Sequence, residues 1–325
     1  MNLETQQIVE LVHQVFPDAD VVSSQRFRGE HSNANYDLQL AAPASSIVLK
    51  IYSSDLDGHS AGKETRLLSL LTSETGVPVP RVLHFDDRGD LVSAPWALHA
   101  RLPGQPLSEV IDTLDDPGLE SVGYEMGRYL SRLHQIPLGE FGELFRSGPQ
   151  NHPTEKGYVI AQATRWLEQC AEGGLLATAT IDALDHLFVQ TRLLTRRQAC
   201  LIHGEYVTEN TIVERGISGY HVTGVLEFAY AQAGSPELDM STLFLREMER
   251  LPAFQKGFLD GYAESGELVR HFWGRLRLYQ MFACLRGITA AHRSGQSQRE
   301  QAYGAWIVDH LDPLDSAWST AVQQP

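Results

Sequence analysis

Three side chains that prefer water stand together in LIHGEYVTENTIV, Leu201 to Val213: His203, Glu205 and Asn210, set between two apolar runs. Each is costly to bury unpaired. Either the loop is a solvated turn, or its polar groups are aimed at something. Downstream, VTGVLEFAYA alternates like a strand and ends at Glu227-Phe228, and ERGISGY between the two runs reads as a hairpin turn. The hairpin returns Glu227 to the loop that holds Glu205 and Asn210. Two carboxylates and an amide then meet at one edge. Such hard oxygen groups suit Mg²⁺, which takes about six oxygens at roughly 2.0–2.1 Å and keeps some waters. A single strand-end Glu is usually a solvated charge; the convergence of three groups carries the signal.

These residues need a scaffold, and the periodicity outlines one. Ile8, Val9, Leu11, Val12, Val15 and Phe16 recur at helical spacing, predicting a first helix that ends near Pro17. VVSSQRF, NYDLQLA and SSIVLKIY alternate and predict strands, with the Gly/Ser/Asn turn RGEHSNAN between the first two. A helix is predicted over residues 59–74, with Leu67, Leu68, Leu70 and Leu71 on its apolar side. VPVPRVLHFDDRGDLVSAPWALHARL predicts two or three further strands, and LPGQPL is a Pro/Gly junction. Beyond it, residues 119–136 and 166–194 read as helical, the second stretch broken at Gly173-Gly174, and so do residues 239–318. One strand-loop-strand-turn-strand unit interrupts them over 199–228. The expected layout is α+β, with a β-rich lobe over residues 1–101 and a mainly helical lobe over 102–325.

Composition removes several function classes. The 325 residues are 42% hydrophobic and 21% charged, with a formal net charge of −15. The negative sum argues against nucleic acid or an anionic membrane surface as the main partner. It is compatible with a cationic small molecule, although acidity often serves solubility alone. Cys170, Cys200 and Cys284 are scattered, odd in number and without CxxC spacing, which speaks against a disulfide framework or zinc site and for a reducing, cytoplasmic compartment. The N-terminal stretch lacks a signal-peptide apolar region, and no apolar run reaches the roughly 18 residues of a membrane span.

The order of these motifs resembles the aminoglycoside phosphotransferase family of the protein-kinase-like fold. That family carries His-Gly-Asp-x4-Asn, a hairpin, then an Asp at a strand end. The resemblance puts Glu205 at the catalytic Asp, Asn210 at the metal-binding Asn and Glu227 at the metal-binding Asp. AGSPELDMSTL resembles the stretch whose Asp braces the catalytic loop, which puts Asp239 in that role, bonding His203 or nearby amides. In the first lobe, Gly29-Glu-His-Ser32-Asn33 resembles a phosphate-facing loop, where small residues let backbone N–H groups approach phosphate oxygens. Lys50 in IVLKIY sits where a strand lysine grips the α- and β-phosphates, and Glu64 in GKETRLLSLL where a helix glutamate pairs with it. The backbone of His99 to Arg101, in ALHARLPGQPL, would meet the adenine edge. The resemblance runs from about residue 20 to 250. It implies a bilobal kinase-like fold: a small antiparallel N-lobe sheet with one inner helix, and a helical C-lobe. It implies ATP or GTP with Mg²⁺, and transfer of a phosphoryl group to the hydroxyl of a small molecule, an antibiotic such as an aminoglycoside being one candidate. His203 reads as a structural brace rather than a proton carrier.

Two departures are both Asp to Glu. An extra methylene moves each carboxylate by up to roughly 1.5 Å, and a misplacement near 1 Å can lower a rate on the order of 100-fold. The pocket is therefore either co-adapted and active, or a pseudokinase that binds nucleotide in a regulatory role. A carboxylate-pair glycosidase would use Glu205 and Glu227 but leaves Lys50, Glu64 and the Ser-Asn loop without purpose. For the acceptor, Asp260, Glu264 and Glu267 would suit an amino-sugar, and Phe258, Tyr262, Phe272 and Trp273 an apolar ring. The plainer reading has the aromatics in the core and the acids in water. Acceptor identity and oligomeric state are not legible.

Overall fold

The computed structural model describes residues 2–27, 33–41, 45–53, 55, 58–146, 148–194 and 198–321. The first elements are α1 (Thr5–Val15), β1 (Val21–Arg26), β2 (Ala34–Leu40), β3 (Ser45–Ile51), α2 (His59–Glu74), β4 (Val82–Asp86) and β5 (Trp96–Ala100). Then come β6 (Gln105–Pro106), α3 (Asp116–His134), β7 (Pro137–Leu138), α4 (Glu155–Gly173), α5 (Thr178–Gln190), β8 (Ala199–Ile202), β9 (Thr211–Gly216) and β10 (Gly219–Val225). The chain ends with β11 (Gln232–Gly234), α6 (Pro236–Leu243), a π-helical turn Phe244–Met248, α7 (Pro252–Tyr262), α8 (Phe272–Arg293) and α9 (Ser297–Ala321). The fold is α+β, as the alternating and helical patterns predict.

The backbone divides into two compact units. One comprises Met1–Leu133, His203–Ala231 and Leu251–Gly266; the other His134–Ile202, Gln232–Arg250 and Glu267–Pro325.

In the first unit the five-stranded antiparallel sheet has the order β1-β2-β3-β5-β4. Strand alternation sorts its side chains. Ile47, Leu49 and Ile51 of β3, with Trp96 and Leu98 of β5, pack with Ile8, Leu11 and Val12 of α1 in one core cluster. Val48, Lys50, Ala97 and His99 therefore take the opposite face. Ala97 packs there with Tyr52 and Ala61, the latter from α2. On α2, Ala61, Glu64, Leu68 and Leu71 recur at three- and four-residue spacing and are all buried, so a carboxylate occupies the apolar stripe. Leu70 lies off that stripe and is 48 % exposed, unlike its expected placement.

The same unit holds a three-stranded sheet, β10-β9-β6, and a crossing of α3 with α7 that the sequence reading missed. Each helix carries two glycines four apart, Gly123 and Gly127 against Gly257 and Gly261. A Cβ at Gly127 would lie 2.0 Å from the Phe258 carbonyl oxygen, and one at Gly261 would lie 1.9 Å from that of Tyr124. Only glycine lets the two backbones approach so closely. That contact draws α7 into the unit that holds the large sheet.

In the second unit β11, β8 and β7 form a three-stranded sheet. Helix α4 starts where the Thr154 side chain accepts from Gly157 N–H and stops at the left-handed Gly174. The expected break at Gly173-Gly174 is thus a C-terminal glycine cap, and α5 is a separate helix. Inside this unit Arg275 of α8 is 2 % exposed. Its Nε and Nη2 donate to Glu237 at 2.8 and 3.0 Å, and its guanidinium also pairs with Glu155. Tyr279 Oη donates to Glu155 at 2.8 Å, and Ser235 bonds the same carboxylate. Burial alone would lower the Arg275 pKa; the two carboxylates outweigh it and raise it.

Candidate active site

Lys50 projects from the inner face of β3 into a carboxylate clamp. Its Nζ lies 2.9 Å from Glu64 Oε2 and 2.7 Å from Glu227 Oε1, with the lysine and Glu64 side chains 6 % and 2 % exposed and Glu227 21 % exposed. The pairing of the strand lysine with the helix glutamate is thus present. Desolvation acts to lower the Lys50 pKa, but Glu227 and Glu64 reverse it and hold the ammonium charged. One buried cation faces two acids. The nearby Tyr52 hydroxyl is pushed well above its ordinary pKa by burial and then by Glu64.

Glu64 also ties down the turn that carries Glu227, because its Oε1 accepts from Phe228 N–H at 3.1 Å. Glu227 itself has φ 68°, ψ 52°. A left-handed backbone is unfavourable for a residue with a Cβ, and such strain gathers at functional sites.

The loop after β8 is built around His203. Its Nδ1 accepts from Glu205 N–H at 3.2 Å and its Nε2 faces the Leu226 carbonyl at 2.7 Å. A backbone N–H can only donate and a carbonyl only accept, which assigns the neutral, Nε2-protonated ring. Its lone pair is spent inside the loop and the ring is fully buried, with Tyr206 and Phe228 rings at 5.6 and 4.6 Å. Both ring nitrogens are thus engaged by backbone groups of the loop and of the strand end at Leu226. Gly204, at φ +84°, passes so close to Tyr230 that a Cβ would lie 2.2 Å from its carbonyl oxygen, so the residue after His203 must be glycine.

Asn210 Nδ2 donates to the Glu205 carbonyl at 3.0 Å, and Leu226 N–H donates to the Asn210 carbonyl at 2.8 Å. These bonds tie the loop to the strand that leads into Glu227. They use the amide nitrogen of Asn210 and turn its Oδ1 the other way. Glu205 is exposed. Lys50, Glu64, His203, Glu205, Asn210 and Glu227 all belong to the first unit. Asp239 belongs to the second, where its Oδ2 lies 3.1 Å from His134 Nε2, both side chains buried. His134 was not anticipated; nothing in its flanking sequence marks it.

His99 lies on the Lys50 face of the sheet, 5 % exposed. Burial first, then Lys50, pushes its pKa down to about 3, so the ring is neutral at pH 7. The N–H groups of Ala100 and Arg101 donate to Arg81 O at 2.9 Å and Ser46 O at 3.2 Å. Of the expected His99–Arg101 backbone contact, those two donors are therefore already engaged. The Arg101 side chain pairs with Asp37 at 3.2 Å. Asn33 is half-buried immediately before β2, whereas Ser32 falls outside the described residues.

Of the residues considered for the acceptor, Phe258, Tyr262 and Phe272 are core, while Trp273 is 58 % exposed. Asp260 pairs with Lys256 at 3.1 Å, and Glu264 accepts from the Tyr124 hydroxyl. The plainer reading thus holds for the three core aromatics.

No described helix is long and apolar enough to cross a membrane. Among the described residues no group of three or more His, Cys, Asp or Glu could hold a metal by itself. Mg²⁺ carried on phosphates needs only one or two protein oxygens, and Asn210 Oδ1 with the Glu227 carboxylate are of that kind.

Comparison with known proteins agrees with the fold. The chain is similar to a thermostable mutant of aminoglycoside phosphotransferase APH(4)-Ia in ternary complex with AMP-PNP and hygromycin B, at 16% identity and a TM-score of 0.67, over 94% of this chain and 96% of that one. It is similar also to APH(2'')-IIIa in its GDP and kanamycin complex, at 17% identity and a TM-score of 0.67, over 96% and 99%. A mouse protein, acyl-CoA dehydrogenase family member 10, is 24% identical over 186 residues, 56% of this chain but 16% of that protein; the chain thus matches about a sixth of that relative's length. The profile of the phosphotransferase enzyme family matches residues 23–279, the span that holds Lys50, Glu64, the His203 loop and Glu227, and the chain belongs to that family.

Proposed function

We propose that the chain transfers the γ-phosphoryl group of ATP or GTP to a hydroxyl of a small molecule, with residues 1–101 as the nucleotide-binding lobe and 102–325 carrying the catalytic loop and acceptor site. The observation that carries this reading is the clamp on Lys50. A strand lysine held charged by a helix carboxylate, beside a loop presenting Glu205 and Asn210, is a phosphate site next to a hydroxyl-orienting group. In it, Lys50 holds the α- and β-phosphates. Glu205, exposed at the loop edge, accepts and orients the proton of the attacking hydroxyl. His203 keeps the loop in place, Asp239 holds His134 within its own unit, and Ser32 and Asn33 offer backbone N–H groups to phosphate oxygens. Asn210 Oδ1 and Glu227 would hold Mg²⁺, which when bound supplies charge neutralisation for the transferred group.

Both Asp-to-Glu departures keep a negative oxygen in place, which favours an active enzyme. Against it, Glu227 rests on Lys50 instead of standing free for a metal, and this supports the alternative of a nucleotide-binding regulatory module. Melting-temperature shifts and ATP turnover separate the two. A ligand that binds only the native state stabilises it, so Mg-ATP or Mg-GTP raises the melting temperature and Lys50→Ala removes most of the shift. In an active enzyme Glu205→Ala abolishes transfer and Glu205→Asp lowers it, at unchanged nucleotide affinity. Unchanged turnover in both variants leaves the regulatory module as the account.

A further inference from the structure

Both ring nitrogens of His99 are buried, and neither has a hydrogen-bond partner among the described residues. A neutral imidazole carries one N–H donor and one lone pair, and burying both unpartnered is destabilising. A leucine would fill this position without that penalty. The described part of the fold therefore gains no hydrogen bond from the imidazole; a polar group entering from outside would supply one.

The position of the ring says which group. The register sets Val48 opposite His99 and Lys50 opposite Ala97. His99 and Lys50 are therefore diagonal neighbours on one face of adjacent strands, near enough for the lysine charge to act on the ring. His99 is the last residue on that face before β5 ends at Ala100. The N–H groups of Ala100 and Arg101 are committed within the sheet. The imidazole therefore stands where those two backbone donors cannot serve a base.

We propose that the His99 imidazole hydrogen-bonds the six-position group of a purine whose phosphates lie at Lys50, and that it accepts ATP and GTP alike by carrying its proton on either ring nitrogen. This rests on the nucleotide reading above. Toward adenine's amino group the facing nitrogen offers its lone pair; toward guanine's carbonyl the same nitrogen carries the hydrogen. A neutral ring can do both, because its two tautomers exchange donor and acceptor.

The test uses calorimetry on the full chain with Mg-ATP, Mg-GTP and the Mg complex of purine riboside triphosphate, whose base lacks a six-position group. Wild type binds the first two about tenfold more tightly than the third, as one buried hydrogen bond allows. His99→Leu removes most of that preference and raises the melting temperature of the nucleotide-free protein. His99→Gln, which keeps a donor and an acceptor, retains most of the preference. In ¹⁵N spectra of wild type, the protonated ring nitrogen of His99 differs between the ATP and GTP complexes, a readout that needs no variant to fold. If His99→Leu keeps the wild-type preference, or the ring is the same tautomer in both complexes, the nitrogens serve only a buried water and the proposal falls. In that case Lys50-dependent nucleotide binding still stands. If wild type binds none of the three, the nucleotide reading falls and this proposal with it.

Discussion

Replacing Gly127 by Ala on α3 should destabilise the protein, although alanine is the better helix former. The gain side is small and known: Gly to Ala inside a helix is worth up to about 1 kcal/mol. The loss side comes from the crossing with α7. The new Cβ would sit 2.0 Å from Phe258 O, 2.7 Å from Tyr262 N and 2.9 Å from Phe258 C. All three are backbone atoms, so no rotamer change relieves the clash. Restoring ordinary contact near 3.3 Å requires the helices to part by roughly 1.3 Å, against the close packing expected of a protein interior. That gap would loosen Phe254, Phe258, Met126 and Leu130, each 0 % exposed. Overpacking costs about 1–3 kcal/mol and occasionally more, and an unyielding backbone puts this case at or above the top of that range. The expected net loss is about 2 kcal/mol or more. Gly62→Ala on α2 is the matched control. A Cβ there meets no described heavy atom within 4 Å, so it should gain about 0.5–1 kcal/mol. Urea titrations followed by far-ultraviolet circular dichroism and tryptophan fluorescence give both values, and agreement of the two probes tests two-state behaviour. A Gly127→Ala protein as stable as wild type would refute the close-crossing argument.

The buried Arg275 makes a second test. Arg275→Ala strands Glu155 and Glu237, and loss of one partner of a buried ion pair costs about 3–5 kcal/mol, read by the same urea titration; a loss under 1 kcal/mol would mean water enters freely. His99 predicts an acid limb. Its folded pKa of about 3 lies below the ordinary 6.5, so between those values the unfolded chain binds a proton the folded one does not. Stability contributed by the neutral ring is full above pH 6.5 and falls by about 1.4 kcal/mol per pH unit on acidification toward pH 3. His99→Leu should flatten that part of the stability–pH curve, and an unchanged slope would contradict the buried neutral ring. Glu227→Gln frees Lys50 from one of its two acids. Metal-free ADP should then bind about fivefold more tightly, the ~1 kcal/mol of a partly exposed ion pair, while the further gain from Mg²⁺ shrinks; calorimetry with EDTA and with Mg²⁺ measures both, and weaker metal-free binding would show that Glu227 only holds the turn in place.

Local regularities were legible in the chain itself. Alternation in SSIVLKIY puts Lys50 on the face opposite Ile47, Leu49 and Ile51, and α2 runs over the predicted residues 59–74. The hairpin that returns Glu227 toward Asn210 follows from ERGISGY between two alternating runs, and Leu226 N–H does bond Asn210 O. Periods of 2 and 3.6 and turn residues are short-range properties, so a one-dimensional string carries them. Glu64 could also have been singled out without any resemblance, since it interrupts the stripe of Ala61, Leu68 and Leu71. The tertiary structure decided what depends on residues far apart in sequence. Glu227 reaches across 177 positions to neutralise Lys50, and its left-handed backbone has no mark in the sequence. His99 reads as an ordinary strand residue until burial and the nearby Lys50 make it neutral, with no hydrogen-bond partner among the described residues. The glycines of α3 and α7 look like weak points in two helices; only the crossing turns them into requirements. Arg275 and its two acids are equally silent, because burial of a charge is set by what packs around it and not by its own neighbours in the chain.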